Sequence, residues 1–187
     1  MMLLRAIIFL AVLAVFMSLA PLSELTPRPR YKTVATTISS YPHEGDGTMG
    51  VSFTVKESRV VLVETSPEYK VLSLMVESLY ENHISNSQSS MPSNLEIRFI
   101  EGQHGQEFMN WCGCIGLFNP SLPHMVFVIP NGDGVETSRI VAHEFVHVIQ
   151  YQSGRLNTLP DELAEMEAYY LSDVVFKLMS SYKGDLK

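Results

Sequence analysis

His143 and His147 stand four positions apart with Glu144 between them, and no other feature constrains this chain as strongly. On an α-helix, residues four apart differ by about 40° around the axis, so both imidazoles leave one face and can share a single cation. Glu144 lies about 100° round from His143, close enough to reach a water on that cation without being a ligand itself. The segment is therefore expected to be helical, and its flanks agree. Asp133 with Glu136 three positions on has the form of a capping box, and Ser153-Gly154 makes a stop. A helix is predicted from Gly134 or Val135 to about Gln152.

A hydrolytic zinc site takes three protein ligands and leaves a fourth position open for water. A second helix, opening at Pro160 with Asp161 and Glu162 at its positive end and running to about Tyr182, offers Glu162, Glu165 and Glu167. Helical phase separates them. Met166, Tyr170, Leu171, Val174 and Leu178 gather round Leu163 as an apolar stripe with Glu167 in its middle, whereas Glu165 and Glu162 face away. A carboxylate centred on an apolar face is costly unless its charge is compensated, which a dication does well. Glu167 is thus the expected third ligand. The alternative pairs it with Lys177 or with an uncharged core partner.

Here the chain resembles the gluzincin group of zinc metallopeptidases, in which a His-Glu-x-x-His helix is followed by a glutamate ligand on the next helix. The likeness covers residues 125 to about 175: MVFVIP, HEFVHVIQ and EMEAYYLSD. It implies one Zn2+ held by His143, His147 and Glu167, the second glutamate of Glu165-Met166-Glu167-Ala168. It implies a peptide or protein substrate, with Glu144 as general base on the zinc-bound water. It also makes the strand at 125 to 129 the sheet edge lining the cleft, where an extended peptide would add. Tyr170 and His124 are the candidates for stabilising the developing oxyanion. The metzincin pattern fails, because it would need Gly at Gln150 and His at Ser153. The aminopeptidase signature Gly-x-Met-Glu-Asn is missing as well. Leu171 stands where thermolysin-like relatives carry the Asp that supports the first histidine, which leaves His143 without an assigned partner.

The remaining elements alternate. VSFTV, KES and RVVLVE between Gly50 and Glu64 read as two short strands joined by a tight turn. Residues 68 to 83 have helical apolar spacing, LEIRFIE from 95 alternates like a half-buried strand, a glycine-containing segment with two cysteines follows, and MVFVIP from 125 is another strand. The expected class is α+β, zincin-like: a small, mostly antiparallel sheet packed on the His-Glu-x-x-His helix, a backing helix and a C-terminal helix with the third ligand.

At 187 residues the apolar material suffices for one domain, expected over 48–187. Arg5 precedes an unbroken apolar or small run from 6 to 20, the layout of a signal peptide or, if uncleaved, of an N-terminal membrane anchor and tether through residues 3–20. Residues 21–47, with four prolines and two glycines, read as a linker. The domain is expected outside the cytoplasm, secreted, periplasmic or held at the outer membrane face. The net charge of −7 with scattered basic residues argues against nucleic acid as a partner. For Cys112 and Cys114 three readings stand: two free thiols, a strained bridge two residues apart, or a metal role. The chief alternative to an enzyme is a catalytically inactive zincin-like binding or interaction protein.

Overall fold

The computed structural model describes residues 30–32, 35–39, 52–84, 90–132 and 134–185. Residues 1–20, on which the export reading rests, and the capping residue Asp133 lie outside them. No helix among the described residues is long and apolar enough to cross a membrane.

The described chain is α+β. Strands β1 (Arg30–Lys32), β4 (Ser58–Leu62), β5 (Glu96–Phe99), β6 (Gly116–Phe118) and β7 (Met125–Val128) form one sheet in the order β1-β4-β5-β7-β6. Its pairs are antiparallel except β5 with β7. Strands β2 (Thr36–Ser39) and β3 (Ser52–Val55) form a separate antiparallel ribbon. Among the described residues four α-helices complete the fold: α1 (Pro67–His83), α2 (Gly102–Cys112), α3 (Gly134–Gln152) and α4 (Asp161–Asp185).

Strand β7 shows how the layers form. Val126 and Val128 join the core with α1, α3 and α4, while Phe127, between them, joins Ile100, Phe108, Ile38 and Val55. Successive side chains of a strand leave opposite faces, so three helices cover one face of the sheet, and α2 with the ribbon covers the other. A strand buried on both faces reads as an unbroken apolar run, as MVFV does. Buried Arg98 on β5 fastens the ribbon to the sheet, bonding to Thr36 on β2 and donating to Glu96 at 3.0 Å.

Three expectations are corrected. The strands read as a hairpin, β3 and β4, are consecutive but unpaired: β3 pairs with β2, and β4 lies between β1 and β5. The reason is burial, since Ile38 and Val55 of the ribbon are covered by Phe108 and its neighbours on α2. The segment read as a linker supplies two strands, β1 and β2. The cysteine-bearing segment contains helix α2, ended by Gly113 in the left-handed region at φ 69°, and strand β6. Cys112 and Cys114 are joined by a disulfide.

Candidate metal centre

Helix α3 is buried on nearly every side, from Val135 to Gln150. A helix apolar over most of its circumference belongs in the middle of a core, and there α3 lies between the sheet, α1 and α4. It holds His143, Glu144 and His147 at the floor of a cleft of about 820 Å3 whose walls include β6, Trp111, Tyr169 and Arg139.

The two histidines converge as their spacing predicts. Their Nε2 atoms are 3.2 Å apart. The acid beside them is Glu165, with Oε2 3.3 Å from His143 Nε2 and Oε1 3.3 Å from His147 Nε2. His143, His147 and Glu165 form a group that can hold a metal ion. The spacing fits a small ion: bonds of about 2.0 Å at tetrahedral angles put donor atoms about 3.3 Å apart.

Glu167, the expected ligand, is elsewhere. Its carboxylate accepts from Arg155 and, at 3.0 Å, from Gln150 Nε2. The correction follows from which residues of α4 are buried. Ala164, Ala168, Leu171 and Val175 form the buried line, while Leu163, Met166 and Tyr170 are exposed. Residues two apart differ by about 200° around a helix, so Glu165 and Glu167 flank that line on opposite sides, and only the Glu165 side faces the histidines.

The clustered side chains perturb one another's ionisation. Hydrogen bonds from His143 and then His147 hold the Glu165 carboxyl well below the usual carboxylate range. Burial pulls the His147 imidazole down, but Glu165, Glu144 and Gln150 outweigh it and leave its pKa raised. Burial is the largest influence on Glu144, 4% exposed, and raises its pKa against the pull of His147, His143 and the Phe118 amide.

Gly116 on β6 admits this carboxylate. A Cβ there would collide with the Glu144 carboxylate and lie 2.9 Å from Ile140 Cγ2, so the close approach requires glycine.

Neither expected oxyanion residue lines the cleft. The Tyr170 ring lies 6.2 Å from that of His83, and His124 uses its backbone carbonyl to accept from the Glu96 amide at 2.8 Å. Tyr169, which sequence reasoning passed over, lines it with its ring centroid 4.5 Å from that of His143. The edge strand beside the cleft is β6, not the strand at 125–128, which is paired on both sides.

No family model matches the chain, and neither a curated protein nor a solved structure matches it. The functional reading therefore stands on the site itself.

Proposed function

We propose that the chain is a zinc-dependent peptidase with one ion, one general base and one cleft, on a zincin-like arrangement of helices and sheet. The observation that carries this reading is the triangle of donors from His143, His147 and Glu165, with edges of 3.2 to 3.3 Å, beside a buried carboxylate on the same helix. Two imidazoles and one carboxylate are a donor set suited to catalytic zinc.

When bound, zinc supplies a Lewis acid toward the scissile carbonyl and lowers the pKa of a water toward about 7. Glu144 takes a proton from the attacking water and returns it to the leaving amine. Its buried position and raised pKa make it a readier proton acceptor than an exposed carboxylate. Tyr169 is the donor proposed for the developing oxyanion, replacing Tyr170 and His124. Strand β6, which among the described residues pairs only with β7, offers its other edge to an extended peptide, which adds to it as a further strand. The Cys112–Cys114 disulfide supports work in an oxidising compartment, in keeping with export.

The test is paired. Purified protein should carry about one equivalent of zinc, and Glu144→Gln should keep the metal while lowering peptide cleavage by at least about 100-fold. Wild-type protein that binds zinc but cleaves no peptide in a diverse library would move the reading to a binding protein.

A further inference from the structure

Gln150 is fully buried, one turn beyond His147 on α3, and all its polar atoms are engaged. Its Nε2 donates to the Ala164 carbonyl at 3.0 Å and to Glu167 Oε2 at 3.0 Å. Both partners are acceptors only, so the amide group must face them, and the amide oxygen must face His147 Nδ1, 2.8 Å away. A carbonyl oxygen cannot donate. Nδ1 therefore carries the hydrogen, and in the neutral imidazole the lone pair is left on Nε2, the atom aimed at His143 and Glu165.

We infer that Gln150 is a positioning residue that sets the tautomer and ring orientation of His147, and that Glu167 holds the Gln150 amide in the required sense. The inference rests on the metal reading for its purpose and not for its geometry. In many zinc sites a carboxylate or backbone carbonyl accepts directly from the ligating imidazole. Here the carboxylate acts one group further out, through an amide, and is itself anchored by Arg155. A flipped amide would point its NH2 group at Nδ1, drive the hydrogen to Nε2 and block that donor atom. The flip would also set the amide oxygen against Glu167 and the Ala164 carbonyl, so those two acceptors forbid it. Glu167, on the far flank of α4 from the donor cluster, thereby still serves the site.

Nitrogen-15 NMR of the metal-free protein, at a pH where His147 is neutral, reads the tautomer directly. Zinc affinity is measured in parallel by chelator competition. Wild type should show Nδ1–H, Gln150→Leu should populate Nε2–H, and the leucine variant should bind zinc about 10- to 100-fold more weakly. Gln150→Met, unbranched and close to glutamine in length, fills the same space without an oxygen acceptor, so it should also populate Nε2–H and lose zinc affinity. Should the leucine variant fail to fold, the methionine variant carries the test beside the wild-type tautomer. Nε2–H in wild type, or an unchanged tautomer and affinity in the folded variant, would overturn the inference. A wild-type protein that binds no zinc but shows Nδ1–H would sink the metal reading and leave the role of Gln150 standing.

Discussion

The carboxylate of Glu144 occupies the space that a side chain on Gly116 would fill. Helix α3 and strand β6 are thus fitted to each other at the carboxylate proposed as the general base, and the Phe118 amide two residues along the strand reaches the same carboxylate.

Gly116→Ala is therefore expected to act on chemistry before it acts on metal. The added methyl must displace Glu144 or push β6 outward, at an overpacking cost of about 1 to 3 kcal/mol. Zinc content should stay near wild type, because the three donors are untouched, while peptide cleavage falls by at least about 100-fold. Metal analysis and a cleavage assay on one preparation check this, and activity within about threefold of wild type would contradict it.

Glu165→Ala removes a donor, whereas Glu162→Ala changes an exposed residue of the first turn of α4. Zinc affinity should fall in the first variant by more than the roughly 10- to 100-fold that an outer-shell partner costs, and hold in the second. Chelator competition on both separates a ligand from a general loss of negative charge.

The metal-free protein should carry a pH-dependent weakness at Glu144. Its folded pKa is raised by burial above an unfolded value of about 4.3. Stability is then fully present below that unfolded pKa and lost as pH rises through the folded one. Glu144→Gln removes this loss. Without metal it should melt at least about 2 °C above wild type at pH 7, with the difference shrinking toward pH 4. A constant difference across that range would mean that ionisation is not its source.

The Cys112–Cys114 bridge closes a loop of only three residues, so the chain-entropy account allows it about 1.6 kcal/mol. Replacing both cysteines by serine should lower the melting temperature by a few degrees at most. A loss above about 10 °C would show that the cystine holds the cleft wall by packing.

The helix bearing His143 and His147 was legible because the information is local: spacing, cap and stop lie within about twenty residues. The observed span, Gly134–Gln152, is the predicted one. The third donor was not, because the buried line of α4 begins with Ala164 and Ala168, which let two helices approach closely but weigh little on a scale of apolarity. Leu163, Met166 and Tyr170 weigh more and are exposed, and reading them as core turned the helix by enough to exchange one glutamate for the other. Partner choice in the strands was equally hidden. Nothing within VSFTV or RVVLVE tells that β3 pairs with residues 36–39 while β4 joins β5. Helix α2 escaped notice because Gly102 and Gly105 open it and few of its side chains are apolar. Gly105 is there for close packing, since a Cβ on it would lie 2.8 Å from the Ile100 carbonyl oxygen.

The burial of α3 on almost all sides has a kinetic consequence. Amides in such a segment are expected to exchange with solvent only when the whole domain opens, so His143 and His147 ride on a slowly opening part of the described chain. Glu165, with half its side chain exposed on the flank of α4, can swing outward by a rotamer change alone. Removal of a bound ion by a chelator should accordingly be gated by that one side chain, and proceed far faster than global unfolding.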